Sequence, residues 1–535
     1  MDNDLFDAIT QHRMPEFNRD VVDGLAVKEM ERVEAYMNRV WQCAAEDFPQ
    51  GLTYEGYRRL TPKEEYMIRV RRGSSTATLE IARSNIYMVA YKLRWQGQDL
   101  PECNVQLPIV EDAGIIFIRG TKYAICPVLG DIALSDGVDS IFIPLLRDKM
   151  TFKRHQHHIV VDGHLQGRFF VWASIHHETK NDPRPGGSRI VTTLAHYLFA
   201  KYGVTGTLLR YTKAHVVIGT HDTITRAQYS LEDWVLVSST RNKPGRLRDK
   251  SYRPTDVVIA VPRPEWSETV ANILSAFFYV TDYFPHRITA EDADEPYLWC
   301  ALMGLAIWGT GTNEGQLVTE VESHLHSLDG YVDNEARRDL AREGVIVEDI
   351  YDLFVYLIDN FTRRIIASYP NLPSMYGKQL MILRYVMKDL VKSVNLFMYR
   401  VKVSQKKALT YKDVAERLKA EIEMDKILDI NKRHGEVDTS ISSPGDNKYF
   451  KITSRIVKQV NSSGRRERTI SLIDPANFLH GSIPEAGSYL TPSGSDPTGH
   501  ERVNPCIQLG PGYVVERRES TRELLDDVER RIRRL

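Results

Sequence analysis

The chain has 535 residues, 42% apolar and 26% charged, with a formal net charge of −1. That length exceeds one compact core and predicts roughly three or four lobes of ordinary globular composition. Near-neutral charge excludes a free-standing basic nucleic-acid binder, so any such surface is local or shared with a partner chain. The cysteines Cys43, Cys103, Cys126, Cys300 and Cys506 form no CxxC pair. This argues against a zinc ribbon or disulfide framework and for a reducing compartment. The acidic start MDNDLFDAIT lacks an apolar signal region, and the most apolar run, Leu298 to Trp308, is about half of what a bilayer span needs. A soluble intracellular protein is expected.

Val27, Met30, Val33, Met37 and Val40 recur at helical spacing, which predicts a helix from Val22 to about Phe48. From Thr61 the texture changes to short runs rich in Ile, Val, Tyr and Thr. Thr76 to Trp95 alternates well enough for two strands. Gly114 to Val128 reads as a hairpin, with strand Ile115–Ile118, a turn at Arg119-Gly120 and a return strand Lys122–Ile125. A strand near Ile141–Leu145 and the segment FKRHQHHIVVDGH complete a β-rich lobe over about 50–175. Gly187 to Tyr202 is expected to be helical, followed by the strand-like pieces HVVIGTH, SLEDWVLVSS and DVVIAVPRP. Helices are then predicted over Val270–Tyr279, Tyr297–Trp308, Gln316–Leu328, Val347–Ser368, Lys378–Tyr399 and Lys406–Ile427. Gly435–Tyr449 is a loop by composition. The tail, Glu516–Leu535, carries Leu524, Leu525, Val528, Ile532 and Leu535 on one stripe, so an amphipathic helix packed on its own body or a partner is expected.

Several clusters invite a chemical reading. His155 and His157 share one face of a probable strand without a carboxylate or thiolate at metal-site spacing, so the polar face of an exposed β lobe is preferred over a metal site. GTGTNEG, Gly309–Gly315, lacks the Gly-Lys-Ser/Thr ending of a phosphate loop and reads as a helix-connecting turn. Glu291 to Glu295 reads as a solvated helix start before Pro296. No nucleophile elbow, HExxH or triad is present. Two basic loops stand out instead. Arg241, Lys243, Arg246, Arg248, Lys250 and Arg253 lie in one, and Arg465, Arg466 and Arg468 in the other. Phosphate contacts by such loops give salt-sensitive, sequence-independent affinity; an ordinary solvated loop is the alternative. The second loop is bounded by Asp474-Pro475 and by Ile483-Pro484-Glu485-Ala486-Gly487, which implies a rigidly held structure.

The order of these parts resembles the N-terminal half of the β subunit of multisubunit DNA-dependent RNA polymerase. Leu107–Val128 is similar to the family's protrusion hairpin, with Gly120-Thr121-Lys122 where the family has Gly-Thr-Glu. Phe152–Val161 and the later SRIVTTLAHYLFAKYG look like the strand and helix that follow it. MYGKQLMILRYVMKDLVKSVNLF resembles a long helix of archaeal and eukaryotic forms. TSRIVKQVNSSGRRERTISLIDPANFLHGSIPEAG looks like the fork loop. Asp474 stands where His is usual before Pro, and Ile483 to Gly487 replaces the family's Thr-Pro-Glu-Gly step. A β subunit that stops soon after the fork is most similar to those of giant phiKZ-type bacteriophages, whose polymerases are built from split β and β′ fragments.

The resemblance implies a multi-lobed α+β fold. Its expected parts are an N-terminal helical segment over 1–50, a protrusion-like β-rich lobe over 51–202 and a mixed or helical second lobe over 203–345. Helices returning to the protrusion over 346–430, a fork-loop region over 431–515 and a C-terminal helix over 516–535 would complete it. It implies a subunit that is inactive alone and forms one wall of the DNA cleft. Arg465, Arg466, Arg468, Arg241, Lys243, Arg246 and Arg248 would contact nucleic acid, and Pro484 and Glu485 would line the cleft. Mg²⁺ would be held by a partner chain, with no catalytic residue here. The implied partners are the C-terminal β fragment, the β′ fragments, template DNA and nascent RNA, with no membrane. The implied setting is the host cytoplasm, a phage-made compartment or the virion. A non-catalytic virion or packaging protein with a basic loop is the competing expectation.

Overall fold

The computed structural model describes residues 17–46, 48–71, 86–143 apart from 112–113, 119–120 and 126, 150–174, 192–239, and 255–369 apart from 285–286, 310–312, 330 and 333. Beyond these it describes 372, 374–381, parts of 393–401, 409–422, 437–438, 455–458, 480–487, 500–518, and Glu523, Asp526, Glu529 and Arg530. The fold is mixed α+β and divides into two compact units. One comprises Met1–Asp131 and Pro373–Leu535, the other Ile132–Leu372.

The first unit opens with α1 (Arg19–Asp23), α2 (Leu25–Glu31) and α3 (Val33–Glu46) where the spacing predicts one helix. Gly24 adopts φ 95°, a conformation open to glycine and costly to other residues, and breaks the helix there. The breaks let Val21, Leu25, Met30, Met37 and Trp41 enter one core. Strands β1 (Leu52–Arg59), β2 (Ile86–Trp95), β3 (Gln98–Asp99) and β4 (Cys103–Pro108) form an antiparallel sheet around β2, with α4 (Pro62–Arg71) between β1 and β2. Side chains of β2 alternate as a strand requires. Val89, Tyr91, Leu93 and Trp95 enter the large core, while Met88 and Ala90 meet Leu60 and Ile68 in a small second one. Trp41 stacks on Tyr54 at 5.9 Å. Burial pushes the Cys103 thiol up to about 12, so it remains an unreactive core group. The expected hairpin is present as β5 (Ile115–Ile118) and β6 (Thr121–Ile125), with Ile118 paired to Thr121. The short strand β7 (Val128–Gly130) follows.

The second unit holds β8 (Ser135–Asp136), β9 (Ser140–Ile143), β10 (Met150–Val161), β11 (His164–Ser174), α5 (Leu194–Tyr202) and α6 (Val204–Thr212). It continues with β12 (Val217–Thr220), β13 (Trp234–Ser238), β14 (Val257–Pro262) and α7 (Glu268–Tyr283). The last helices are α8 (Pro296–Trp308), α9 (Glu314–Leu328), α10 (Asn334–Arg342) and α11 (Ile350–Ser368). Its sheet runs β12-β14-β13-β10-β9-β8, with β11 on β10. Asp162 (φ 52°) and Gly163 (φ 87°) close the β10–β11 hairpin, the paired positive φ values of a two-residue turn that matches strand twist. The helix expected over 187–202 begins at Leu194, capped by Thr193, whose hydroxyl accepts from His196 N; residues 187–191 lie outside the described residues.

Helix α8 is apolar all round and buried from Trp299 to Ala306, so it must be enclosed by other elements. Trp299 meets Phe199 of α5 and Phe277 of α7 at ring-centroid distances of 4.8 and 5.4 Å. Gly304 lets α9 approach: a Cβ there would lie 2.8 Å from Leu317 Cβ. Asp294, in the acidic run expected to be solvated, is instead a clamp. Its carboxylate accepts Thr205 N at 2.7 Å and the Thr205 hydroxyl, at the positive end of α6. Arg364 on α11 pairs with Asp136 (2.7 Å) and Glu343 (2.8 Å), and Glu343 also accepts Ala133 N and Leu134 N. These carboxylates tie the start of the unit to its last helix.

The chain then re-enters the first unit as β15 (Gln379–Met381), where a helix is expected from Lys378. Gly377 has φ 76°, and the backbone that follows pairs with Tyr513 to Val515 instead of bonding within itself. Helical residues resume within 393–401, where Val394, Phe397 and Val401 are buried. Helix α12 (Tyr411–Glu421) starts at a reciprocal cap between Thr410 and Asp413. β16 (Val437–Asp438) pairs with β6, and β17 (Arg455–Lys458) joins a four-stranded sheet ordered β15-β7-β17-β18. The short helix α13 (Ile483–Ala486), β18 (His500–Arg502), β19 (Gln508–Leu509) and β20 (Val515–Glu516) complete the unit. Glu516, placed in the expected tail helix, belongs to β20, whereas Glu523, Asp526, Glu529 and Arg530 are helical. No described helix is long and apolar enough to cross a membrane.

One buried group makes the second unit acid-sensitive. His196 is fully buried and donates from Nε2 to Trp299 O at 2.9 Å, while its Nδ1 has no partner among the described residues. Burial holds its pKa down at about 4. The folded state therefore keeps the ring neutral while the unfolded chain takes up a proton below its ordinary 6.5. Stability present above that value is lost as pH falls towards 4, by about 3 kcal/mol. In urea denaturation of the full chain at stepped pH, His196→Gln, which retains a donor and cannot titrate, should flatten this part of the profile.

Candidate nucleic-acid interface

Arg241, Lys243, Arg246, Arg248, Arg465, Arg466 and Arg468 lie outside the described residues; the roots of both basic loops are described. The first loop connects β13 to β14, an antiparallel pair in which Ser238 faces Val258. Ser239 is buried and donates from its hydroxyl to Asp282, while Thr255 at the other root accepts Val257 N at 3.3 Å. The second loop leaves from β17, which is paired antiparallel with β18 and parallel with β7. It returns at His480.

Pro484 and Glu485 sit in α13. Pro484 is exposed near the start of the helix, where its missing N–H costs nothing. The helix is locked by Ser482, which is fully buried. Ser482 Oγ accepts Met375 N at 2.8 Å and donates to His480 Nδ1 at 2.8 Å, and Ser482 N also donates to that nitrogen at 3.1 Å. With Nδ1 an acceptor twice over, the neutral His480 ring carries its proton on Nε2. Asn504 closes the other side, donating from Nδ2 to Pro484 O at 2.8 Å and from its backbone to Ala486 O at 2.9 Å.

Glu485 does not stand alone on this surface. One carboxylate oxygen accepts Arg518 N at 3.3 Å. Tyr376 is raised to about 12, first by burial and then by the Glu485 carboxylate that accepts its hydroxyl. The exposed Arg517 guanidinium lies 5.2 Å over the Tyr376 ring, and His480 meets the same ring edge-on at 6.0 Å. Among the described residues, Arg518 Nε and Nη2 are buried without a hydrogen-bond partner. A desolvated guanidinium with open donors is electrostatically unbalanced and matches a phosphate or carboxylate oxygen pair. The structure therefore brings Pro484 and Glu485 together with Tyr376, His480, Arg517 and Arg518. Sequence reading missed these four, because Arg517-Arg518 looks like part of a charged tail. Backbone bonds from Val515 N to Lys378 O, 2.8 Å, and from Gly377 N to Val515 O, 2.9 Å, carry it to Tyr376.

The histidine cluster is only in part the expected exposed polar face: His155 is exposed, whereas His157 is largely covered. His157 Nε2 donates to Asp282 Oδ2 of α7 at 3.0 Å, and His155 packs by Tyr279 and Phe170. Burial is the main reason that the His155 pKa is lowered, with the neighbouring His157 adding to it. Helix α7 covers one face of the β10–β11 ribbon, a packing that strand periodicity does not reveal. Gly309 ends α8 and Asn313 caps α9, so the glycine-rich run is a connection between helices. Among the described residues, no three His, Cys, Asp or Glu side chains converge as metal ligands.

The family described as "Non-virion RNA polymerase subunit" matches residues 1–529, and the chain belongs to it. It is therefore a subunit of an RNA polymerase, a nucleotidyl-transferring assembly with further subunits. No curated protein shows significant similarity to it.

The Ser482 bridge has a measurable consequence. Ser482→Ala leaves the Met375 amide without its acceptor, which should lower stability by about 1–3 kcal/mol in urea denaturation. Amide exchange at Met375 and Ser482 should accelerate, while exchange in the second unit should be unchanged.

Proposed function

We propose that this chain is the N-terminal β fragment of a multisubunit bacteriophage DNA-dependent RNA polymerase, forming one wall of the DNA cleft and the fork loop. Membership of the RNA polymerase subunit family over residues 1–529 carries this reading. It is supported by the hairpin β5–β6, which pairs where the protrusion landmark falls, and by the bracing of α13, where the fork passage returns. Arg465, Arg466 and Arg468 would hold phosphates or the unpaired non-template strand through charge, without reading sequence. Arg241, Lys243, Arg246 and Arg248 would make similar contacts from the other basic loop. Arg517, Arg518, Pro484 and Glu485 would border the path of the strand. Mg²⁺ for phosphoryl transfer would be held by a β′ partner, and no step is assigned to a metal on this chain. Partners would be the C-terminal β and the β′ fragments, working on template DNA and nascent RNA in the infected cell. The family description, non-virion, disfavours a virion or packaging protein.

The purified chain alone should synthesise no RNA, and tagged chain from infected cells should co-purify with subunits bearing the aspartate-rich metal site. RNA synthesis by the isolated chain would overturn the assignment. Reversing Arg465, Arg466 and Arg468 to Glu should leave assembly intact and weaken the grip on melted DNA, by roughly tenfold or more at moderate salt. Permanganate footprinting of promoter opening measures this, and an unchanged footprint counts against the fork role.

A further inference from the structure

One face of the β10–β11 ribbon is covered near Phe152 and Arg154 by α11, through Phe354 and Thr362, and is exposed towards the turn at Gln156, Leu165, Gly167 and Phe169. Antiparallel pairing sets Arg154 opposite Val171, Gln156 opposite Phe169, His158 opposite Gly167 and Val160 opposite Leu165, so these side chains share a face. The other face, with His155, His157 and Phe170, is packed by α7. Towards the turn Leu165 is 64% and Phe169 38% exposed, although both are large apolar groups. The Arg154 guanidinium lies 4.8 Å over the Phe169 ring and donates to Thr362 Oγ1 at 3.2 Å, which holds ring and cation in a fixed stack. Gly167 has no side chain, and the Gln156 amide lies across that position, leaving a shallow surface with amide and imidazole groups beside the ring.

The same strand lacks a neighbour along part of its length. β9 pairs with β10 only from Met150 to Lys153, and β13 only at Val160 and Val161. The stretch Arg154–Ile159 therefore has an open edge on that side among the described residues, and the basic loop 240–254 departs from Ser239 at the end of β13. Charge is segregated here too. From Met150 to Ser174 the sequence has Lys153, Arg154, Arg168 and four histidines but a single acid, Asp162, on a chain of net charge −1. Asp162 is itself paired with Arg263 at 2.9 Å.

An exposed ring under a cation, hydrogen-bonding side chains beside it and a positive surround form a stacking platform for unpaired bases. We infer that the exposed face of the β10–β11 ribbon near its turn binds single-stranded nucleic acid, with a base on Phe169 and the adjacent phosphate on Arg154. A protein segment is the less suited occupant, because the exposed apolar area is one ring and one leucine rather than a groove. The inference rests on the chain's place in an RNA polymerase and not on its identity as a β fragment.

The test uses the full chain and a fluorescent mixed-sequence DNA of about 20 nucleotides, single-stranded or duplex, across a salt series. Phe169→Ala should weaken single-strand binding roughly tenfold, and Phe169→Tyr, which keeps the ring, should restore it. Arg154→Gln should weaken binding and reduce the salt slope by about one, with duplex binding little changed by either. Thermal midpoints matching the unaltered chain would show that the variants are folded, and the surface change Arg154→Gln remains informative if Phe169→Ala is not. Unchanged single-strand affinity in Phe169→Ala and Arg154→Gln overturns the inference. Loss of co-purifying polymerase subunits with unchanged DNA affinity also overturns it, in favour of a protein partner. A chain with Arg465, Arg466 and Arg468 reversed, run in parallel, separates the two sites. If only that chain loses binding, the ribbon inference fails and the fork reading stands; if only the ribbon variants lose it, the converse holds.

Discussion

Three residues, Val128 to Gly130, carry a disproportionate share of the organisation. Strand β7 takes β15 antiparallel on one side and β17 parallel on the other, so segments far apart in sequence meet at one short ladder. The whole second unit, Ile132–Leu372, is an excursion between two strands that pair with each other. Loop-closure entropy rises only slowly with length, so an excursion with its own core is tolerated once the strands at its ends are paired. From that ladder the rest of the first unit follows. Leu380 N bonds to Tyr513 O and Val515 N to Lys378 O, which brings Arg517 and Arg518 beside Tyr376. Parallel pairing of β17 with the same strand fixes the point from which the arginine passage departs.

The strands and short helices at the roots of both basic loops are held by buried hydroxyls and carboxylates, as at Ser482, Ser239 and Asp282.

Much of the helical part was legible from periodicity. Helices α7, α8, α9 and α11 lie within a few residues of their expected spans, because long apolar stripes repeat over several turns and are closed by Ser267, Asn313 and Asp349 caps. Legibility failed where one backbone angle overrides a pattern. Gly24 splits the first helix, and Gly377 opens a strand where apolar spacing suggested a helix. It failed again where a distant partner decides exposure. His157 looked like a solvated strand residue until Asp282 of α7 was found against it, and Asp294 looked like a solvated helix start although it clamps Thr205. For the candidate interface, Pro484 and Glu485 were readable as a turn, whereas Tyr376, His480, Arg517 and Arg518 were not.

What the sequence by itself determined is therefore local and periodic. It specified the α+β character, the β5–β6 hairpin and the long helices, all of which depend on neighbours within a few residues. The tertiary structure alone decided which segments share a unit, which polar groups are buried and which part of the β10–β11 ribbon is left exposed. Those properties depend on contacts between residues that the sequence separates by tens to hundreds of positions, and no local pattern records which of them will meet.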